Sequence, residues 1–412
     1  MNKKNRLNIL HISYSLDIGG AARAAHRIHL SLIKSNVNSK ILTIKNRNNY
    51  LGKNYISPKS LLDVDAIGIK KIFQVIFQFF LGQRHQKISL NIFPSNFHKI
   101  INLSNIDIVN IHWIGNETLS LKDLAKIKKP IVWTMHDMSP FKNIEHYDLN
   151  IKRNKIYNKI SKINFLRKKK LYNKNFDFIS VSRWLKNIAS KSNLLKKKKI
   201  HIIGNTIDTS FWKSKNNLII KKKLNIEKKK FIIGFGGLFN TKDNIIKGTD
   251  LLEDLLYSNF FKDNKQDFLF AFFGNGKLRK FQKNGFEIIN FGKLNSDKEI
   301  LEYYNILDIF LNLSRREAFG QTVLEAQSCA IPCLAFKNTG ASDIILNNKT
   351  GWLLDNYSIK NLEKIIRFAF IKRNKIKLMG KSARTNVIKK FDTKIISQKY
   401  LKVYKSILSK NI

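Results

Sequence analysis

SRREAFGQTVLEAQ (314–327) directly follows the apolar run DIFLNL (308–313), and together they read as strand, loop and helix in that order. DIFLNL is a short buried strand, SRREAFG the loop leaving it, and QTVLEAQSCA the first turns of a helix. The loop therefore delivers Glu317, and the helix delivers Glu325. The backbone N–H groups of Phe319, Gly320 and Gln321 fall at a helix N-terminus, where partial positive charge favours phosphate, and Gly320 allows a close backbone approach. A sugar diphosphate suits that layout: one carboxylate accepts from hexose hydroxyls, the other from ribose, and the diphosphate lies between them on the amides. On this stretch alone a second reading stays open, in which two acids near a helix start only complement its dipole.

Outward from this stretch, apolar runs alternate with helical patterns in both halves of the chain, an α/β rhythm that implies parallel sheets covered on both faces. Expected strands of the first half are LNILHIS (7–13), KILTI (40–44), DIVNIHW (107–113), PIVWTM (130–135), FDFISV (176–181) and IHII (200–203), with helices at Gly20–Lys34 and Arg183–Ser190 among those between. The second half repeats the pattern with FIIGFG (231–236), DFLFAFF (267–273), FEIINF (286–291), DIFLNL (308–313) and PCLAF (332–336). Nearly every one runs into a polar or glycine-bearing loop, and the carboxyl ends of such strands are where open α/β sheets hold ligands. The lysine-rich stretch 210–230 reads as a linker, giving an N-terminal domain over 1–209 and a C-terminal one over 231–391; 392–412 carries apolar residues at helical spacing.

The 314–327 segment resembles the signature of retaining GT-B glycosyltransferases of family 4, the group 1 glycosyl transferases. Further resemblance runs in family order through ILHISYSLDIGGAARAAHRI (9–28), HWIGN (112–116), VWTMHDMSPF (132–141), FDFISVSRWL (176–185) and IIGNTIDTSFW (202–212). It continues through FIIGFGGL (231–238), KGTDLLEDLL (247–256), FFGNG (272–276), NFGKL (290–294) and FKNTGASDIILNNKTGWLL (336–354). HWIGN with TMHDMSPF is similar, more narrowly, to the colanic-acid-type branch that builds bacterial surface polysaccharide. The resemblance implies a GT-B fold: two Rossmann-like doubly wound parallel-sheet domains facing across a cleft, the first on the acceptor side and the second binding nucleotide sugar. The terminal helix 392–412 would return to the first domain.

It also implies residue roles. Glu317 contacts the donor sugar and Glu325 the nucleotide ribose; His136 hydrogen-bonds the sugar near its C6 hydroxyl; Lys247, opening the helix after FIIGFG, offsets charge on the departing diphosphate. Gly19 and Gly20 bring backbone close to a phosphate or acceptor, although a plain tight turn explains them equally. His112 and Asp137 line the acceptor side, with a structural role for His112 an equal alternative. The family often places an Arg where this chain has Leu238, and Arg315 or Arg316 either substitutes for it or points into solvent. Gly340 stands where a glycine pair is common; Ala341 replaces the second glycine and Asp343 supplies the acid that follows. The implied reaction transfers a hexose from a nucleotide diphosphate sugar to a glycan or lipid-linked acceptor with retention, in lipopolysaccharide or exopolysaccharide synthesis. The β-phosphate takes the acceptor proton, so no protein base, metal or other cofactor is called for. Two rivals remain: a glycoside hydrolase using Glu317 and Glu325, and a non-catalytic nucleotide-sugar-binding protein on the same shell.

Composition sets outer bounds. The 412 residues, 43% of them hydrophobic, suffice for two domains with their own cores. A formal net charge of +47 suggests an anionic partner. The basic runs RKKK (167–170), KKKK (196–199), KKK (221–223) and KKK (228–230) are scattered and lack the aromatic interleaving of a single-strand binder, which argues against specific nucleic-acid binding and leaves anionic lipid or a charged acceptor. The abundance of Lys, Asn and Ile also fits an AT-biased genome. Cys329 and Cys333 cannot build a disulfide framework or a four-thiolate metal site, which points to the cytoplasm, or to the inner face of the plasma membrane where a peripheral enzyme would work. No apolar run reaches 18 residues and the start reads directly as a strand. IGIKKIFQVIFQFFLGQ (67–83), read as a helix, has a narrow polar stripe of Lys70, Gln74 and Gln78; the wide apolar remainder is either buried in its domain or interfacial. Asp63 and Asp65 form a DxD string that precedes this helix instead of ending a strand, so chance accounts for it better than metal binding.

Overall fold

The computed structural model describes residues 6–45, 52–57, 69, 72, 73, 76, 77, 79, 88–148, 153–174, 176–216, 218–236, 245–274 and 276–410. Two compact units make up the chain, Met1–Thr206 with Thr393–Ile412, and Ile207–Asp392.

The first unit is built on strands β1 (Asn8–Ser15), β2 (Asn38–Lys45), β3 (Tyr55–Ile56), β4 (Ile108–Ile111), β5 (Ile131–Met135), β6 (Phe176–Ser180) and β7 (Ile200–Ile202). They lie in the order β3-β2-β1-β4-β5-β6-β7, parallel at every pairing. β1 and β4 are central and almost wholly buried, as continuous apolar runs with helices on both faces should be. The Gly20–Lys34 helix buries Ala24, Ala25, Ile28 and Leu32, a stripe at three- and four-residue spacing. Thr393–Leu408 buries Ile396, Tyr400, Val403 and Tyr404, and ties to this unit through Ser397 with Ser35 (2.7 Å) and Tyr404 with Asn110 (2.7 Å).

The second unit carries β8 (Phe231–Gly236), β9 (Phe268–Phe273), β10 (Arg279–Lys283), β11 (Phe286–Asn290), β12 (Ile309–Asn312), β13 (Cys333–Phe336) and β14 (Gly351–Leu354). Their order is β10-β11-β9-β8-β12-β13-β14. Phe231, Phe235, Phe261, Phe268, Phe270 and Phe272 fill its core.

Three strands depart from the sequence expectation. β3 and β14 are short edge strands without a long apolar run. β10 is antiparallel to β11, against an all-parallel expectation, and its sequence RKFQK looks like loop. Asn284 and Gly285 join the two with φ of 52° and 81°, the backbone that a two-residue hairpin needs. The stretch 210–230 is grouped with the second unit instead of standing between the two: Trp212 is buried, and its carbonyl accepts from Ser328 Oγ (2.6 Å) and Arg384 (2.7 Å).

Within 67–83 the described Ile69, Ile72, Phe73, Ile76, Phe77 and Phe79 are helical. Phe77 packs on a small cluster of Ile88, Leu90, Ile144 and Tyr157, whereas Ile69, Ile72, Phe73, Ile76 and Phe79 are exposed. The stripe of Lys70, Gln74 and Gln78, the Asp63–Asp65 string and Leu238 lie outside the described residues. Among the described residues no helix is long and apolar enough to cross a membrane.

Candidate active site

In the second unit the chain leaves β12 through Ser314–Gly320 and enters the Gln321–Ser328 helix. Gly320 is its N-cap at φ 97°, a conformation that favours glycine. Gly340 braces this loop: its N–H donates to the Glu317 carbonyl at 2.7 Å, and a Cβ there would stand 2.1 Å from the Ala318 carbonyl oxygen. Gly340 thus supports the peptide that presents Phe319. Among the described residues no acceptor meets the N–H of Phe319 or Gly320, which leaves both available to an anion at the positive end of the helix.

Lys247 closes a short 3-10 turn, Ile245–Lys247, just ahead of the helix that the sequence had it opening. Gly248 follows at φ 71°, with its Cβ position 2.1 Å from the Leu313 carbonyl oxygen, so only glycine lets this turn lie on the end of β12. Arg315 N–H donates to the Ile246 carbonyl at 2.8 Å. Lys247 Nζ is thereby brought 2.9 Å from Glu317 Oε2. Arg315 forms a fork on both carboxylate oxygens of Asp250, also reaches the Ile245 carbonyl (2.7 Å), and lies over the Tyr357 ring. It holds the turn together and is committed there. Arg316, partly exposed, donates to the Arg315 carbonyl at 3.0 Å.

Glu325 sits deeper than its sequence position suggested, at 2% exposure, with Tyr304 donating to Oε2 at 3.1 Å. Burial, and then the Glu325 charge, push the Tyr304 phenol well above its usual range and keep it a donor. Tyr304 comes from the Asp297–Asn305 helix, which a Ser296–Glu299 capping box starts.

The first unit gathers its candidates at the carboxyl ends of β1, β4 and β5. Gly19, at φ 88°, and Gly20 are exposed, and a Cβ at either would meet nothing within 4 Å. Packing therefore does not demand glycine at 20, and the space above it is open.

His136 follows β5 and is partly buried, its Nε2 2.9 Å from Nδ1 of His112. His112 Nε2 in turn lies 2.8 Å from Nδ1 of His11, in the middle of β1. Both ring nitrogens of His112 are taken up by neighbouring histidines, which leaves no polar ring atom for an acceptor. Burial holds all three rings neutral: His11 and His112 far below the usual range, and His136 at about 4 despite the adjacent Asp137.

Asp137 is likewise fully engaged, by Trp113 Nε1 (2.9 Å), His146 Nδ1 (2.5 Å) and the Ser139 hydroxyl (2.6 Å). Burial would raise its carboxyl, but His146 and the hydrogen bonds from His146 and Ser139 hold it at about 2. His146 Nε2 continues to the hydroxyl of Ser89 at 2.8 Å, an Asp–His–Ser series. With Ser89 at 3% exposure that series fastens the 88–91 segment to the 136–146 loop and does not present a nucleophile. His11, His146, Ser89, Asp250 and Tyr304 were not singled out from sequence. Apart from the His146–Asp137 contact, nine residues apart, their partners stand 21 or more residues away, and no local pattern marks them.

Residues 18–211 match the profile described as Glycosyltransferase Family 4, and residues 216–386 the profile described as Glycosyl transferases group 1. The chain belongs to the family-4, group-1 glycosyltransferases. Its fold is GT-B. HepE from Anabaena, solved in complex with UDP and glucose, superposes with a TM-score of 0.65 at 16% identity, over 97% of this chain and 100% of that one. A glycosyltransferase from Rickettsia africae ESF-5 gives 0.64 at 19% identity, over 98% and 99%. Among sequence relatives, the capsular polysaccharide biosynthesis glycosyltransferase CapM of Staphylococcus aureus is 24% identical over 248 residues, 57% of this chain and 63% of that protein. Glycogen synthase of Thermodesulfovibrio yellowstonii is 27% identical over 245 residues, 53% and 48% of the two. The chain thus spans less than two thirds of the length of these relatives.

Proposed function

We propose that this glycosyltransferase moves a hexose from a nucleotide diphosphate sugar to a hydroxyl of a glycan or lipid-linked acceptor, with retention, in the assembly of cell-surface polysaccharide. The observation that carries this is the Lys247–Glu317 pair beside the Gly320 helix start, where the N–H groups of Phe319 and Gly320 meet no acceptor among the described residues. A cation, unclaimed N–H groups and a carboxylate suit diphosphate on one side and sugar hydroxyls on the other.

In the mechanism this supports, the β-phosphate leaves as an oxocarbenium-like sugar forms, and the acceptor attacks on the same face while its proton passes to the leaving phosphate. The protein positions and stabilises; it supplies no base. Lys247 and the amides of Phe319 and Gly320 meet the growing phosphate charge, with Gln321 opening the helix and Arg316 at the rim. In the second unit Glu317 holds the hexose and Glu325 meets ribose; in the first, His136 offers a hydrogen bond to a sugar hydroxyl and Gly20 gives a ligand room. A hydrolase would need two carboxylates open on opposite sides of one glycosidic bond, but Glu317 is salt-bridged and Glu325 buried against Tyr304.

Capsular polysaccharide synthesis in CapM and the UDP and glucose bound to HepE make uridine donors the first to try. Contact with anionic membrane is supported by the Lys155–Tyr172 helix, whose exposed Ile156, Ile163 and Leu166 stand among Lys155, Lys159, Lys162, Lys169 and Lys170. Cosedimentation with anionic but not neutral liposomes tests this contact, and equal binding to both removes it.

The deciding experiment is a thermal-shift panel of uridine, guanosine and adenosine diphosphate sugars on wild type and Glu325→Gln, followed by NMR of the transferred anomer. One donor class stabilises wild type, by about 2.7 kcal/mol at a hundredfold excess over Kd, and most of the shift disappears in the variant. Identical shifts in both proteins remove Glu325 from the donor site. Binding without transfer to any acceptor leaves the non-catalytic rival.

A further inference from the structure

His11, His112 and His136 come from three adjacent strands and share one sheet face. The β1–β4 register sets His11 beside Asn110, and the β4–β5 register sets Asn110 beside Val132, so each histidine stands two residues further toward the carboxyl edge than the last. The array runs from the buried interior at His11 to the partly exposed His136. Every link joins Nδ1 of one ring to Nε2 of the next, at 2.8 and 2.9 Å.

A neutral imidazole has one donor and one acceptor nitrogen, so a neutral array of this geometry has two self-consistent proton arrangements. Either all three rings carry the proton on Nδ1, or all three carry it on Nε2. The inner end decides between them. Among the described residues His11 Nε2 is buried without a partner, and so is Nε2 of His29, whose ring lies edge-on at 5.9 Å. An N–H buried without an acceptor is rarer and costlier than an unused lone pair. The Nδ1–H arrangement is therefore the stable one, and it leaves His136 with an N–H at Nδ1, the nitrogen outside the array. Among the described residues that nitrogen has no partner.

We infer that His11 and His112 are positioning residues that fix His136 as a neutral hydrogen-bond donor toward an oxygen of the bound sugar. This rests on the proposed hydrogen bond from His136 to a sugar hydroxyl. The burial that keeps the rings uncharged makes the assignment hold at neutral pH, since a second proton on His136 would turn its Nε2 into a donor and reverse the links behind it. His29 lies beside His11, with His26 beyond it against His29, and Asp137 lies beside His136.

The test is long-range proton–nitrogen NMR on full-length protein labelled at the histidine nitrogens, on wild type, His11→Leu and His11→Asn. Wild type is expected to show Nδ1 protonated and Nε2 bare at His136, His112 and His11 between pH 6 and 8, values chosen to keep the rings neutral. His11→Leu removes the inner donor, so the two nitrogens of His136 drift toward averaged shifts and transfer slows. His11→Asn places an amide N–H near the former Nδ1 and restores both. Nε2–H at His136 in wild type overturns the inference without any variant, as does an unchanged His136 spectrum in His11→Leu. The spectra read the array whether or not sugar is turned over, so failure here is distinguishable from failure of the transferase reading.

Discussion

Lys247 donates to Glu317 Oε2 at 2.9 Å, joining the turn ahead of one helix to the loop ahead of another, 70 residues on. With the lysine side chain 40% exposed, such a pair adds little to folding, on the order of 0–1 kcal/mol. Its value lies in holding an ammonium and a carboxylate at a helix start before a ligand arrives. Lys247→Met should leave denaturant stability within about 1 kcal/mol of wild type and lower the transfer rate roughly 100- to 1000-fold, the usual loss for one preorganised donor. Equilibrium denaturation and donor turnover measured together check this, and an unimpaired rate removes Lys247 from the mechanism.

Tyr304→Phe probes the buried carboxylate without altering its charge. Losing the phenol takes one donor away from the buried Glu325 carboxylate inside the second unit, which should destabilise by about 1–3 kcal/mol. If Tyr304 also aims Glu325 at ribose, the thermal shift caused by a nucleotide sugar should shrink more than that caused by inorganic pyrophosphate. Equal shrinkage would mean that Tyr304 supports the fold alone.

How much of this could be read from the chain depends on whether the partners are local. DIFLNL, FIIGFG and PCLAF were legible because continuous apolar runs bounded by polar loops admit little but a buried strand. β10 was not, since RKFQK carries an edge strand's charges, although the Asn284–Gly285 pair was the hairpin signal to follow. DIVNIHW is trimmed to Ile108–Ile111, and His112, just past its end, still donates its N–H to the Ile12 carbonyl at 2.9 Å while its ring meets His136. At the site, Glu317 and Lys247 were each named from sequence; their contact depends on Gly248 lying against Leu313, which only three dimensions reveal. The histidine array is silent in sequence for the same reason: its order 11, 112, 136 follows strand adjacency and has no spacing to detect.

Two glycines should part company on substitution. Gly340→Ala puts a methyl where 2.1 Å separates it from the Ala318 carbonyl oxygen and 2.6 Å from Phe319 N. The 318–319 peptide must move, at about 1–3 kcal/mol, and donor binding should weaken with it. Gly20→Ala meets nothing within 4 Å, at a backbone that does not need positive φ, so stability should hold or rise by up to about 1 kcal/mol. Loss of donor or acceptor affinity without loss of stability would then report a ligand at Gly20, whereas calorimetry showing affinity intact would make the glycine an ordinary turn residue.

Acid should weaken the first unit before the second, because all 9 histidines lie in the first. Burial holds His136 at about 4 and His29 at about 3, with His11 and His112 also far below the usual value of 6.5. Between those values and 6.5 the unfolded chain binds protons that the folded unit refuses, so stability rises with pH through that window. It is fully present above about 6.5 and is lost as pH falls toward 4, by roughly 3 kcal/mol for His136 alone at about 1.4 kcal/mol per pKa unit. Asp137, held at about 2, stays ionised throughout that range, and its contribution is lost only as pH falls below about 4. Amide exchange should therefore quicken in β1, β4 and β5 between pH 7.5 and 4.5, after correction for intrinsic rates, while β8 and β12 change far less; these pH values bracket the histidine window. His136→Gln should flatten the response in β5. Equal pH responses in the two units would mean that the buried imidazoles are not what acid attacks.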